Sequence, residues 1–334
     1  MSIKIAINGF GRIGRSSFRL AFDSPELEVV AINDLTEVKV MAHLLKHDSI
    51  YGNFKYSVNS KENNLVVNNK EIPVFAEKDP INLPWKKLDV DLVLECTGHF
   101  TTKELAEKHL KAGAKRVLLS APPKSKDIST FVLGVNQKKF NSKTDIIASN
   151  ASCTTNCLAP IAKILNDNFT IKQGFLNTIH AYTNDQRLHD SPHKDLRRAR
   201  LAGENIIPTT TGATKSVVEV IPELKGKLEG LAVRVPVSVV SIIDFVCVVE
   251  KPTTIETINN KFKEASKGDL KSILDVTEEP LVSSDFIANP HAAIVDLSLT
   301  QVINNLIKVV AWYDNEYGYA CRYVAMAEYI GKNI

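Results

Sequence analysis

A short apolar run, Lys4-Ile5-Ala6-Ile7-Asn8, passes straight into Gly9-Phe10-Gly11-Arg12-Ile13-Gly14, and Phe18, Leu20, Ala21 and Phe22 then suggest the apolar face of a helix. Strand, tight glycine turn and helix in that order leave the backbone few alternatives. The first glycine permits the turn, the second lets main chain approach a pyrophosphate, and the third lets helix and strand pack closely, with the anion on the helix N-terminus. A second apolar run, Glu28-Val29-Val30-Ala31-Ile32-Asn33, ends at Asp34, twenty residues beyond Gly14, where a ribose-binding carboxylate is expected. An acid there accepts hydrogen bonds from a ribose 2'-hydroxyl and repels a 2'-phosphate, so the pattern favours NAD over NADP.

Further strand and helix signals alternate along the first half. They are Asp91 to Cys96, a helix near Thr102 to Lys111, Arg116 to Ser120, and Asp145 to Ser149. Such alternation predicts an α/β unit with a mostly parallel, doubly wound sheet. Between them, Lys55 to Glu77 has short alternating runs split by Asn63-Asn64 and Asn68-Asn69, the pattern of an antiparallel insertion. No internal repeat or low-complexity linker divides the chain, so the boundary is drawn from the motifs, near residue 150.

At 334 residues the chain is long enough for two domains with a cleft between them. Its 44% apolar and 24% charged residues are those of a globular protein, and no apolar run is long enough to span a membrane. The start meets Asn8-Gly9 after a brief apolar run and lacks a small-residue cleavage site, which predicts a cytoplasmic protein. Five cysteines, widely spread and odd in number, predict reduced thiols. A net charge of +3 with both signs interspersed argues against nucleic acid. One basic cluster, His193 to Arg200, stands out and fits a nucleic-acid patch, a solvated surface or an anion site for a phosphorylated small molecule.

The second half opens on Ser149-Asn150-Ala151-Ser152-Cys153-Thr154-Thr155-Asn156-Cys157, a polar turn that carries Cys153 into an apolar helical pattern at Leu158, Ile161, Ala162 and Leu165. At the first turn of a helix, unpaired N–H groups and the macrodipole favour an anion, so the thiol pKa is expected to fall. Gly174 to Thr183 reads as a strand bearing His180, and a Cys and His pair is a standard way to activate a sulfur nucleophile. Cys157 falls on the same helical face as Cys153, but no zinc-like cluster accompanies it, so no metal is expected. Arg234, inside the apolar run Leu231 to Val237, must find an anion.

Taken together, Asn8 to Gly14 with Asp34, Ala151 to Cys157, Thr178 to Gln186, Thr209 to Ala213, Arg234 to Val237 and Trp312 to Tyr319 resemble the phosphorylating glyceraldehyde-3-phosphate dehydrogenases of bacterial, glycolytic type, over residues 3 to 331. The resemblance implies a Rossmann cofactor domain over residues 1–150, completed by a C-terminal helix at 316–334. It also implies an α+β catalytic and tetramerisation domain with a mostly antiparallel sheet over 151–315. Cys153 would attack the aldehyde, His180 would take the protons, hydride would pass to NAD, and inorganic phosphate would release a thioester as acyl phosphate. Gly9, Gly11, Arg12, Ile13, Gly14, Asp34, Lys78, Ser120, Asn315 and Tyr319 would bind the cofactor. Thr183 and Arg234 would hold the phosphate of glyceraldehyde 3-phosphate, and Ser152, Thr154, Thr211 and Gly212 the attacking phosphate, with Arg198 contributing to one anion site or its ordering.

One stretch departs from the commonest pattern: Ser191 stands where NAD-specific relatives often carry leucine, and small polar residues there accompany NADP use in some relatives. The NAD expectation therefore rests on Asp34 and Leu35. The long loop from about Ala181 to Pro208 implies a homotetramer, again by resemblance. Two rival readings are an erythrose-4-phosphate dehydrogenase, which usually carries Glu at the position of Asp34, and a non-catalytic nucleic-acid-binding protein using Arg197 to Arg200.

Overall fold

The computed structural model describes residues 2–334, which divide into two compact units. Of the described residues the first comprises 2–131, Lys138–Ala151 and Tyr323–Ile334, and the second Val132–Gln137 with Ser152–Arg322. The first unit is built on nine strands: β1 (Ile3–Asn8), β2 (Leu27–Asn33), β3 (Val58–Lys61), β4 (Asn64–Val67), β5 (Lys70–Phe75), β6 (Leu92–Glu95), β7 (Arg116–Leu119), β8 (Ser129–Thr130) and β9 (Ile147–Ser149). They lie in the order β3-β4-β5-β2-β1-β6-β7-β9-β8, parallel from β5 to β8. Helices α1 (Arg12–Ala21), α2 (Val38–Lys46) and α3 (Lys103–Lys111) cross over between strands. This is the doubly wound arrangement, whose binding crevice lies at the carboxyl ends of the strands.

Within the sheet, β1, β2, β6 and β7 are close to continuous apolar runs, as strands covered on both faces must be. Ala6, Ala31, Val93, Ala106, Val117 and Leu119 share one core cluster with Trp85. The residues expected to form a separate antiparallel insertion do form antiparallel β3, β4 and β5, but β5 also pairs in parallel with β2 through Ile32 and Val74. The insertion is thus continuous with the main sheet. A local periodicity reports pleating and cannot report which strand lies alongside.

In the second unit a mixed sheet runs β11 (Ile207–Thr210), β12 (Leu228–Val235), β10 (Ile171–Ala181), β13 (Ser241–Val249), β17 (Leu306–Tyr313), β15 (Ala293–Asp296) and β14 (Leu274–Thr277), with β16 (Gln301–Ile303) on β17. Only β10 with β12 and β14 with β15 are parallel; the other neighbours run antiparallel. Helix α4 (Cys153–Phe169) lies against this sheet and buries Cys157, Leu158, Ile161, Ala162 and Leu165 completely. Helices α5 (Ala213–Val220) and α6 (Ile255–Lys267) pack on α4. The last helix, α7 (Tyr317–Lys332), is capped by Asp314, whose Oδ1 accepts from the N–H groups of Glu316 and Tyr317.

Candidate active site

Ser152 is the N-cap of α4, its Oγ accepting from the N–H of Thr155 at 3.1 Å, so Cys153 becomes the first helical residue. Two residues earlier the chain turns through Ala151, buried with φ +56°, a left-handed conformation that a residue with a Cβ adopts at a cost. That turn reverses the chain sharply enough to start the helix at the cysteine. His180 reaches Cys153 from β10, with Nε2 3.5 Å from Sγ. Strands β10 and β12 are in register so that His180 lies opposite Arg234. Arg234 Nη1 is 2.7 Å from His180 Nδ1 and donates to the carbonyl of Ala181 at 3.1 Å. Cysteine, histidine and arginine therefore meet at one point, although 81 residues separate the first from the last.

The charges at this point differ from the sequence expectation. The helix N-terminus was expected to lower the Cys153 pKa, but burial raises it above the ordinary thiol value, against the opposing pull of the Arg234 charge and of the Thr154 hydroxyl and N–H. Desolvation of an anion outweighs the local donors here. Burial also pushes His180 down to about 3, assisted by Arg234 and opposed by the Ala181 carbonyl. The imidazole is consequently neutral at ordinary pH and available as a base. Its Nδ1 faces two groups that make opposite demands: the Ala181 carbonyl, 2.7 Å away, accepts only from a protonated Nδ1, whereas Arg234 donates only to an unprotonated one.

Around this centre, a buried chain joins α4 to the sheet: Thr154 Oγ1 is 2.9 Å from the Tyr313 hydroxyl, which is 2.8 Å from Thr178 Oγ1. The Thr154 hydroxyl thus faces the interior. Arg198 donates to Asp185, to Thr209 Oγ1 at 3.0 Å and to the Thr210 carbonyl at 3.2 Å, and so stands locked in the loop before β11. Thr211 Oγ1 accepts from the N–H of Ala213, and Gly212 caps α5. Thr183 takes its N–H to Gln186 Oε1 at 3.3 Å. Asn315, buried, accepts from Ser241 Oγ at 2.9 Å, and the same serine accepts from the N–H of Ala181. Ser241 was absent from the sequence reading and Tyr313 entered it only within the run Trp312 to Tyr319, with no role assigned, since a lone Ser or Tyr at a strand end carries no local signal. Cys157 is wholly buried, and its thiol lies well above the ordinary value.

In the first unit the glycine turn is tight. Gly9 has φ +92°, and a Cβ on Gly14 would lie 2.0 Å from the Gly9 carbonyl oxygen. A Cβ on Gly11 would meet nothing within 4 Å, so this edge is open for an incoming group. Asp34 accepts from the N–H of Phe10 at 2.6 Å and of Thr36 at 2.9 Å, which ties the carboxylate to the turn. A cavity of about 470 Å³ is lined by Gly9, Gly11, Asp34 and Lys78. Its walls also include Asn8, Asn33, Glu77, Thr97 and Phe100, which the sequence reading did not single out as binding residues. Arg12, Ile13, Gly14 and Ser120 are not among its lining residues. Arg12 pairs with Asp48 and lies over the Tyr51 ring, while Ser120 donates its N–H to the Glu95 carbonyl. Tyr319 is buried in α7. Among the described residues no helix is long and apolar enough to cross a membrane.

Residues 3–103 match the description of the glyceraldehyde 3-phosphate dehydrogenase NAD binding domain, and residues 152–315 that of the glyceraldehyde 3-phosphate dehydrogenase C-terminal domain. Over 333 residues, 99% of each chain, the sequence is 56% identical to a glyceraldehyde-3-phosphate dehydrogenase of Geobacillus stearothermophilus. It is 54% identical to glyceraldehyde-3-phosphate dehydrogenase 1 of Bacillus subtilis over the same share of both. A Streptomyces avermitilis relative, glyceraldehyde-3-phosphate dehydrogenase 2, is 49% identical over the full length of both.

Proposed function

The chain belongs to the glyceraldehyde-3-phosphate dehydrogenase family, and from that premise we propose how its own residues carry the reaction. It is an NAD-dependent oxidoreductase acting on the aldehyde group of glyceraldehyde 3-phosphate. The residues present suit the dinucleotide: α1 begins with no side-chain cap and no acid in its first turn, leaving N–H groups for a pyrophosphate, and Asp34 is fixed beside them. When bound, NAD supplies a two-electron acceptor for the hydride of the substrate carbon. Gly9 to Gly14, Asp34, Lys78 and Ser120 would hold the dinucleotide, and Asn315 and Tyr319 would serve its nicotinamide.

Cys153 gives its thiol proton to His180 Nε2, 3.5 Å away, as its sulfur bonds to the aldehyde carbon, and the carbonyl electron pair moves to oxygen, which takes that proton from the imidazole. His180 Nε2 accepts that hydroxyl proton as the hydride departs, leaving a thioester. An oxygen of inorganic phosphate then attacks the thioester carbon, the carbon–sulfur bond breaks, and the sulfur keeps the electron pair. The product is 1,3-bisphosphoglycerate, the proton of the attacking phosphate goes to solvent, and His180 returns its own to the Cys153 sulfur. Sulfur suits this sequence because its acyl form stays reactive toward phosphate. Arg234 and Thr183 hold the substrate phosphate, Ser152, Thr211, Gly212 and Thr154 through its main chain receive the attacking one, the Thr154 hydroxyl being turned to Tyr313, and Arg198 orders the loop.

The first unit is assigned as the NAD domain and the second as the catalytic and tetramerisation domain. A homotetramer is supported by Phe175, Leu188, Leu196 and Ile206, large apolar side chains 71, 80, 82 and 72% exposed within the second unit. The reading places the enzyme in the cytoplasm and in glycolysis. Its single strongest support is the approach of His180 to a cysteine at the start of α4. Initial rates of NAD reduction with glyceraldehyde 3-phosphate, with and without inorganic phosphate, test it. Phosphate-dependent turnover should vanish in Cys153→Ser; turnover that persists in that variant, or that ignores phosphate, would overturn it.

A further inference from the structure

Beneath the cofactor pocket a buried polar chain runs in one direction only. Trp85 Nε1 donates to His109 Nδ1 at 3.0 Å, and an indole can only donate. His109 Nδ1 is therefore the acceptor, and its Nε2–H points at Glu95 Oε2, 3.0 Å away. Glu95 also accepts from Asn8 Nδ2 at 2.5 Å, and from the N–H and Oγ1 of Thr97 at 2.8 and 2.5 Å. Four donors leave its carboxylate no role except acceptor. Asn8 must then turn its Oδ1 the other way, where Asn33 Nδ2 donates to it at 2.7 Å. Asn33 in turn grips the main chain of Glu77, donating from Nδ2 to the carbonyl at 3.0 Å and accepting at Oδ1 from the N–H at 2.9 Å. His109 and Glu95 are 0 and 1% exposed, while Asn8, Asn33 and Glu77 line the pocket.

We propose that Glu95, oriented by His109 and Trp85, is a positioning residue for the dinucleotide: by accepting throughout, it fixes the amide orientations of Asn8 and Asn33 and so holds the Glu77–Lys78 wall against the adenosine half of NAD. The reasoning rests on the assignment of this pocket to NAD and adds residues that lie outside the catalytic steps. Direction is what the carboxylate contributes. In Glu95→Gln an oxygen kept on the Thr97 N–H puts NH2 in the place of Oε2, where it deprives the His109 Nε2–H of its acceptor and faces Asn8, which must flip. Asn8 then opposes its NH2 to that of Asn33, and Asn33 flips too, mismatching both contacts to Glu77. The effect reaches the pocket through two amides with almost no change in shape.

The test is calorimetric binding of ADP-ribose to the full chain, with kcat at saturating NAD and the alkylation rate of Cys153 measured alongside. Glu95→Gln should lose ten-fold or more in ADP-ribose affinity, while kcat and Cys153 alkylation stay within two-fold of wild type. Affinity within two-fold of wild type, or a parallel fall in Cys153 reactivity, would overturn the proposal. Asn8→Asp combined with Glu95→Gln moves the carboxylate one link along and restores the acceptor facing Asn33. The double variant should regain most of the lost affinity, and it carries the test by itself where the single variant does not fold; a double variant as weak as the single one, or one that cannot bind, counts against the idea. Because ADP-ribose binding involves no aldehyde chemistry, this result is separable from any failure of the turnover assay.

Discussion

Arg234 Nη1 stands 2.7 Å from His180 Nδ1, across the register pair that joins parallel strands β10 and β12. The arginine lowers the affinity of the imidazole for a proton, in addition to burial. Removing its charge in Arg234→Leu should raise the His180 pKa from about 3 toward the ordinary 6.5. Histidine ring resonances followed by NMR against pH report this directly, and an unmoved titration would mean that burial alone sets the value.

His180 also links stability to pH. Its folded pKa, about 3, lies below the ordinary 6.5, so the unfolded chain takes up the proton first as pH falls. The associated stability is complete above about pH 6.5 and is lost as pH drops toward 3. Denaturant midpoints for wild type and His180→Asn should therefore show a steeper acid decline in wild type over that interval. At neutral pH the same variant should lose about 10²- to 10⁴-fold in kcat, the range for a missing general base.

Cysteine reactivity should be selective. Cys96, Cys247 and Cys321 are all pushed up by burial, the last two to about 12 and about 11. Cys157 is raised well above the ordinary value; Tyr323 and Ser120 pull Cys96 back and the Arg322 charge Cys321, whereas Cys153 has both a charge, Arg234, and hydrogen-bond donors, from Thr154, doing so. Limited iodoacetamide treatment followed by peptide mass mapping should label Cys153 first and leave Cys157 unmodified.

Gly11 and Gly14 should fail differently. A Cβ at position 14 lies 2.0 Å from the Gly9 carbonyl oxygen, so Gly14→Ala forces main chain apart and should cost about 1–3 kcal/mol or more in stability. At position 11 a Cβ meets no protein atom within 4 Å, so Gly11→Ala should melt like wild type and yet raise KM for NAD, because the methyl occupies the path of the pyrophosphate. Thermal melts beside NAD saturation curves separate the two.

Tyr313→Phe removes the hydroxyl that bridges Thr154 and Thr178. Thr178 then keeps only its donation to the Ile242 carbonyl at 3.4 Å and Thr154 only its contact with Cys153, which should destabilise the chain by about 1 kcal/mol, measurable in urea.

Local sequence determined a good deal of this protein. The glycine turn with Asp34, the start of α4 at Cys153 and the strand carrying His180 are set by residues next to one another: a turn needs its glycine, a helix its cap, a strand its alternation. Tertiary structure decided whatever depends on distance and dielectric. It paired β5 with β2, set Arg234 against His180, turned the Thr154 hydroxyl toward Tyr313, and built the Trp85 to Asn33 chain under the pocket. It also reversed the expected direction for Cys153, because the cost of burying an anion is summed over every surrounding atom, whereas the helix N-terminus that favours the anion belongs to one short segment.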